Sequence, residues 1–258
     1  MKQAVAAMFA LSLRRRVGGA RFLGALAVAL LPALNLILDV AFGDDDARHF
    51  EIYLKYLVPT ALYFVTPFVT MMTMLPVLGE LYDKGSIGYL YTRPSPRWVV
   101  LLGLYLGGVA AMLLLFFATA FIPAAIGAAA SSAVPASLWL KTASGLFGTL
   151  TFAAFAYGAV CLFLGVWSRR AILWASAILI FWGVAIGSFP GSLRATSLHH
   201  YLFGLARSWC GVSGDTFTGM FPPVTNPPTP LNCMAVLLAA SIGFFLLAAR
   251  VAERRDVI

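Results

Sequence analysis

Long apolar stretches alternate with short polar segments along this chain of 258 residues. Within each stretch the apolar residues are continuous, whereas a membrane barrel would alternate between apolar and polar positions. A helix needs about 20 apolar residues to cross a bilayer. The pattern therefore predicts an all-α integral membrane protein with a single transmembrane domain over residues 1–258. The same pattern predicts six transmembrane helices, at about 22–40, 54–78, 98–122, 139–166, 171–188 and 231–249.

The segment before the first span has a different pattern. Residues 2–16 carry apolar side chains at helical spacing and end in Arg14, Arg15 and Arg16. This predicts a weakly amphipathic helix that lies in the cytoplasmic membrane interface, with its arginines at the level of the lipid headgroups. The alternative is that these residues form the first turns of the first transmembrane helix.

The second span contains three prolines, Pro59, Pro67 and Pro76. Each proline removes a backbone donor, so carbonyl groups in this helix need other partners. The prolines are compatible with a hinge used in function and equally with simple packing kinks.

The composition agrees with a membrane protein. Hydrophobic residues make up 61% of the chain and charged residues 11%, whereas a soluble domain averages about 45–50% and about 25%. The net charge of +8 is explained by topology and by contact with anionic headgroups. We therefore expect the lipid bilayer as a partner and no nucleic acid.

The charges also predict an orientation. Six spans place both termini on one side of the membrane, and a cytoplasmic location of that side puts Asp44–Asp46 outside. It leaves five of the 18 Lys and Arg residues outside, namely Arg48, Lys55, Lys141, Arg194 and Arg207. The positive-inside rule thus predicts a multi-pass protein of the plasma (inner) membrane, with cytoplasmic termini and an outer segment over residues 189–230.

Signatures of catalysis are missing from the sequence. It contains no P-loop, no HExxH or GxSxG motif and no paired cysteines at metal-binding spacing. Ionisable residues deep in the spans are scarce, although proton- and ion-coupled transporters keep them as relays. We predict no catalytic residue, no metal ligand and no cofactor in this chain, and an energy source in another protein. An intramembrane enzyme is the least supported alternative.

Residues near the span ends have ordinary interpretations. Adjacent His199 and His200 would point about 100° apart on a helix, which favours an interfacial polar pair over a metal site with Cys210. A disulfide between Cys210 and Cys233 on the oxidising side is an open alternative, and Cys161 is expected to be a small buried hydrophobe. Small residues in the fourth span predict close helix packing. Tryptophans typical of an aromatic belt are Trp98, Trp139, Trp167 and Trp209.

The most informative polar segment, residues 79–97, joins the second and third spans. Glu80 and Lys84 are spaced as a helical ion pair, and Gly85 permits a break. Ser86 is a good N-cap for a short helix over residues 87–91, which Pro94 and Pro96 end. Such a helix, with exposed carboxylates and tyrosines, suits docking to another protein, and an ordinary cytoplasmic loop is the alternative. Arg93, Pro94 and Arg97 lie where the third span enters the membrane, suited to contact lipid phosphates.

The runs ELYDKGS at residues 80–86 and LYTRPSPRW at 90–98, followed by Leu102-Gly103, resemble the signature of ABC-2 type ABC transporter permeases. Six spans, an interfacial first helix, a long outer segment before the last span and an Arg-Arg-Asp sequence at 254–256 also fit that family. Two positions depart from its pattern: Ser86 replaces the common Thr, and Leu104 replaces a frequent Lys.

The resemblance implies a coupling helix between the second and third transmembrane helices. It would dock on a cytoplasmic ABC ATPase subunit, which holds ATP and Mg, and the permease would pair with a second copy or a homologue. The residues implied in the ATPase contact are Glu80, Tyr82, Asp83, Lys84, Gly85 and Ser86. The expected function is a permease that exports a hydrophobic or amphipathic substrate and is not itself an enzyme. The alternative is an ATPase-docking membrane anchor that conveys force to an outer partner and moves no cargo.

Overall fold

The computed structural model describes residues 2–42, 46–83, 96–168, 170–186, 192–211 and 228–254. Within these ranges the regular elements are helices, and no strand occurs. In the described part of the chain, five helices are long and apolar enough to cross a membrane: Ala20–Phe42, Arg48–Pro76, Arg97–Ala130, Ala136–Trp167 and Pro230–Arg254. A shorter apolar helix, Ala171–Phe181, falls where the fifth span was expected. The all-helical class is thus confirmed, and the five candidate spans are compatible with a helical membrane protein. The count of six spans stays a prediction.

The helices follow the chain in this order. Helix α1 is Lys2–Val17 and α2 is Ala20–Phe42. Helix α3 covers residues 46–83 and ends in the segment Thr66–Asp83. Then come α4 (Arg97–Ala130), α5 (Ala136–Trp167) and α6 (residues 171–186). A 3₁₀ turn (Ser192–Thr196), α7 (Leu198–Trp209) and α8 (Pro230–Arg254) complete the described chain.

Helix α1 is separated from α2 at Gly18 and Gly19, and its apolar face packs along α4. Two glycines of α4 allow the close approach. A Cβ on Gly103 would lie 2.5 Å from Met8 Cβ, and one on Gly107 would lie 2.7 Å from Ser12 Cβ. Residues 2–17 therefore form a helix of their own, as predicted, whereas its placement in the membrane interface stays a prediction.

Helix α3 contains two π-helical turns among its prolines, Tyr53–Leu57 and Ala61–Val65. The wider turns are a usual response to a missing backbone donor. Threonine hydroxyls bond carbonyls in the same region: Thr60 Oγ1 donates to Tyr56 O at 2.6 Å, and Thr66 Oγ1 donates to Ala61 O at 2.9 Å. The prolines thus change the helix type locally while the helix continues.

Several helices are longer than the predicted spans. Helix α4 passes through Pro123 and ends at Ala130, although the sequence predicts an end at residue 122. A proline inside a helix costs one backbone hydrogen bond, and in the membrane the helix can tolerate it because neighbouring groups restore the partners. The loop between α4 and α5 is therefore short, residues 131–135.

Helix α5 lies at the centre of the described bundle and packs against α3, α4, α7 and α8. Its small residues receive bulky neighbours, as predicted from the sequence. A Cβ on Gly148 would lie 2.9 Å from the Trp209 ring, and one on Gly158 would lie 2.9 Å from Met74 Cε. The close packing joins the last helices of the chain to the first ones.

One tryptophan departs from the aromatic-belt interpretation. Trp139 is 1% exposed, and its ring makes edge contacts with Phe50 at 4.9 Å and Tyr53 at 5.3 Å. The belt prediction is wrong for this residue, because Trp139 faces the neighbouring helix α3 rather than lipid.

Candidate functional site

The predicted ATPase contact lies mostly outside the described residues. Glu80, Tyr82 and Asp83 belong to the last turn of α3. The structure describes the backbone of these three residues but not their side chains. Five further predicted residues lie wholly outside the described ranges: Lys84, Gly85, Ser86, Arg93 and Pro94. The described backbone shows where the segment is attached: it leaves α3 at Asp83 and enters α4 at Arg97. The coupling helix therefore stays a prediction.

Arg97, at the start of α4, contacts the end of α8. Its Nη1 donates to Ala252 O at 2.8 Å and to Glu253 O at 3.1 Å. The last carbonyl groups of a helix lack intrahelical partners and carry partial negative charge, so a guanidinium is a favourable neighbour. The described contact ties α4 to α8, and the contact with lipid phosphates predicted for Arg97 stays a prediction. A groove of about 580 Å³ beside it is lined by Trp98, Arg250 and Glu253, among others.

The three arginines at the end of α1 have different surroundings. Arg14 and Arg15 are exposed, as expected for residues at headgroup level. Arg16 is 6% exposed and lies between α1, α3 and α4. Its Nη2 donates to Leu104 O at 3.3 Å and its Nη1 to Met74 Sδ at 3.1 Å. Arg16 is therefore buried against α3 and α4, because its position on the helix turns it towards the protein, and its predicted contact with lipid headgroups stays a prediction.

The Arg16 guanidinium is held without a carboxylate among the described residues. Its Nε has no hydrogen-bond partner in that part of the chain. Burial lowers the pKa of Arg16 to about 10, so the side chain still carries its charge at neutral pH. A buried charge without a counter-ion is costly, which makes this position unusual.

A second buried polar group lies where α7 meets α5 and α3. The Tyr157 hydroxyl is hydrogen-bonded to Nδ1 of His199. The His199 ring also stacks on Tyr63, with centroids 5.2 Å apart. Ser197 caps α7 by accepting from the His199 backbone N–H at 3.3 Å and donates to Gly183 O at 3.1 Å. This cluster anchors the start of α7 in the bundle.

The interfacial polar pair predicted for His199 and His200 is wrong for His199, which is fully buried. A signal was present in the sequence. His199, Leu202 and Ala206 recur at three- and four-residue spacing, and all three are buried on one face of α7. A histidine on the apolar stripe of an amphipathic helix is thus better assigned to the core.

The cysteines are free and buried. Cys210 Sγ lies 3.7 Å from Thr142 O, and Cys233 Sγ lies 3.8 Å from Pro228 O. Cys233 packs beside Gly204, which is six residues before Cys210 on the same stretch of chain. The two thiols thus have separate neighbours and are not bonded to each other. The disulfide alternative is therefore wrong, and Cys161 is a buried small side chain as predicted.

A third polar contact joins three helices. The Tyr105 hydroxyl of α4 donates to Phe155 O of α5 at 2.8 Å and lies 2.9 Å from Ser241 Oγ of α8. Together with the Arg97 contact, it gives α4 and α8 two separate polar connections. This arrangement suits helices that move together rather than a site of bond chemistry.

Among the residues that the structure describes, no group of three or more His, Cys, Asp and Glu side chains is arranged to hold a metal ion. Comparison of the sequence with protein-family models and with curated proteins found no match.

Proposed function

We propose that this chain is the membrane permease subunit of an ATP-binding cassette transporter of the ABC-2 type. In this proposal a separate cytoplasmic ATPase drives export of a hydrophobic or amphipathic substrate. The observation that carries the proposal is the polar segment 79–97. It contains the family-like motif and connects the end of α3 directly to the start of α4.

The packing of these two helices supports a mechanical role for the segment. Helix α3 packs against α2 and α5, and α4 packs against α1, α2 and α5. A displacement of the segment would therefore reach most of the described bundle through two helices. The Arg97 bond to the end of α8 would extend the same displacement to the last helix.

The proposal also includes the number of spans, the orientation in the membrane and the pairing of two permeases. Helix α6 serves as the fifth of six spans, and both termini lie in the cytoplasm of a cell whose plasma (inner) membrane holds the protein. Two permeases pair, each with one ATPase. Large apolar side chains exposed on α2, α6 and α8, such as Leu23, Phe181 and Ile242, are compatible with contact to lipid or a second permease.

The test is a double substitution, Glu80→Ala with Asp83→Ala, in the full chain coexpressed with its cognate ATPase. Removing two carboxylates from a docking surface should weaken retention of the ATPase at least about tenfold, because each leaves a cation of the partner unpaired. ATP hydrolysis should also become uncoupled from transport, while membrane insertion is unchanged. The measurement is ATPase retained on the purified permease, followed by hydrolysis and export in proteoliposomes.

The matched control is Glu51→Ala. Glu51 is an exposed carboxylate that pairs with Lys55 at 3.1 Å, at the opposite end of α3 from the motif. This variant should retain the ATPase like the wild type. Unchanged retention and transport in the double variant would refute the assignment of the segment.

The anchor alternative has one supporting observation. Helix α7 belongs to the predicted outer segment, and its start is bonded into the bundle through Tyr157 and His199. Force applied at α5 would thus reach α7. Stimulation of ATPase activity by a transported substrate in the reconstituted complex favours the permease, and its consistent absence across lipid-like and drug-like compounds favours the anchor.

A further inference from the structure

A cavity of about 240 Å³ lies between the turn joining α1 to α2 and the C-terminal part of α3. Its lining includes Arg15, Arg16 and Arg21 together with Thr73. None of its described lining residues is acidic. Three arginines line this one cavity, and the guanidinium is the side chain best matched to phosphate oxygens.

Arg16 makes this a built site rather than a cluster of surface charges. It is 6% exposed, and its two described hydrogen bonds go to a carbonyl oxygen and to a thioether sulfur, which is a weak acceptor. Its Nε has no partner among the described residues. A buried cation with donor capacity left over calls for an anion.

The backbone contributes to the same side of the cavity. Gly19 and Ala20, at the beginning of α2, are part of the lining. Helix α2 has 23 residues, so its first turn presents the positive end of a full helix dipole. Helix N-termini of this kind are frequent binding sites for phosphate groups.

Gly108 of α4 provides the space in which the Arg16 guanidinium sits. A Cβ at position 108 would overlap both Arg16 Nη1 and the Met74 sulfur. An arginine that served only to mark the membrane surface would not need a glycine on a neighbouring helix. The arrangement holds the guanidinium in one place beside the cavity.

We propose that this cavity binds a phosphate group, with Arg16 as its buried ligand and with Arg15 and Arg21 lining it. The phosphate belongs either to an anionic lipid headgroup or to a free phosphate ion, and both offer the same oxygens. This site goes beyond the transport function, because it requires neither an ATPase nor a substrate.

The experiment uses the full chain purified in a maltoside detergent, which contains no phosphate. Phosphatidylglycerol is titrated in one arm and counted by native mass spectrometry. Inorganic phosphate is titrated in the other, against chloride at equal ionic strength, and followed by the thermal midpoint. Saturable binding in the first arm identifies a lipid headgroup, and binding in the second identifies free phosphate. Either result supports the site if it depends on Arg16.

Arg16→Gln should weaken binding at least about tenfold, because charge-assisted hydrogen bonds are lost. The matched control is Arg14→Gln, which removes the same charge from an exposed arginine outside the cavity lining and should change affinity less than about twofold. Arg16→Lys keeps the charge and should recover part of the affinity. Gly108→Ala keeps every charge and should also weaken binding, so the proposal stays testable if Arg16→Gln does not fold.

Two results would overturn the proposal. Binding in neither arm would do so, as would equal losses in Arg14→Gln and Arg16→Gln, which would indicate a diffuse surface attraction. The first of these results can be traced further at Glu80, which lies one helical turn beyond Pro76 on α3. If the wild type binds nothing and Glu80→Gln creates binding, the countercharge comes from the protein itself.

Discussion

The contact between α5 and α7 allows a sharp test of the packing. A Cβ on Gly145 would lie 2.5 Å from Trp209 O and 2.7 Å from Trp209 C, whereas ordinary contacts of this kind are 3.4–4 Å. The obstacle is backbone, so Gly145→Ala would push the end of α7 away from α5 by roughly 1 Å. Overpacking of this kind costs about 1–3 kcal/mol. We expect the unfolding free energy to fall by that amount.

Two other glycines provide a graded comparison. A Cβ on Gly148 would meet the Trp209 ring at 2.9 Å, and a ring can turn away, so Gly148→Ala should cost less than Gly145→Ala. A Cβ on Gly243, within α8, would meet nothing within 4 Å. Gly243→Ala should therefore be neutral or stabilising by up to about 1 kcal/mol, since alanine favours the helix.

The assay is reversible unfolding in mixed micelles, by titration with a denaturing detergent and detection of tryptophan fluorescence. Monodisperse elution of each variant checks that the starting state is folded. Equal stability of Gly145→Ala and Gly243→Ala would refute the described contact between α5 and α7.

Two more predictions concern the polar contacts of α4. Tyr105→Phe removes the hydroxyl that joins α4 to Phe155 O and Ser241, and should lower the unfolding free energy by about 1–2 kcal/mol. Ser241→Ala should lower it less, because the bond from Tyr105 to Phe155 O remains. A larger loss of stability in Ser241→Ala than in Tyr105→Phe would contradict the described geometry. Arg97→Gln should speed amide hydrogen exchange in the last two turns of α8, because the guanidinium no longer holds Ala252 O. Mass spectrometry of peptides from α8 would measure this, and exchange unchanged from the wild type would show that the contact does not hold the helix end.

The fold class was predictable because it depends on composition along the chain. Continuous apolar stretches exceed what one soluble core can bury, and five of them are long helices in the part of the chain that the structure describes. Their ends were less predictable. Pro123 lies inside α4 because a helix surrounded by other helices can lose one bond without ending, and hydropathy carries no information about those neighbours.

The residues of the candidate sites were harder to predict, because their burial depends on which face of a helix meets which neighbour. Arg14, Arg15 and Arg16 are equivalent in composition, yet Arg16 continues the face of Ser12 towards α4 and is buried with it. The face of α4 that receives α1 contains Gly103 and Gly107, and the sequence also shows this pattern as two glycines four residues apart. Only the structure shows that the Ser12 and Arg16 face of α1 packs against these glycines. The coupling motif was identified from residues that lie largely outside the described ranges, so it remains a prediction.

The docking of α1 on α4 has a consequence for how the protein is made. Ser12 and its acceptor, Leu104 O, are 92 residues apart. At a synthesis rate of about 5–20 residues per second, α1 is complete roughly 5–18 seconds before its docking surface exists. During that interval its apolar face and its arginines need a temporary environment, and the membrane surface offers one that suits both. Such a helix has to be stable in two settings in turn, first at the lipid surface and then against the glycines of α4.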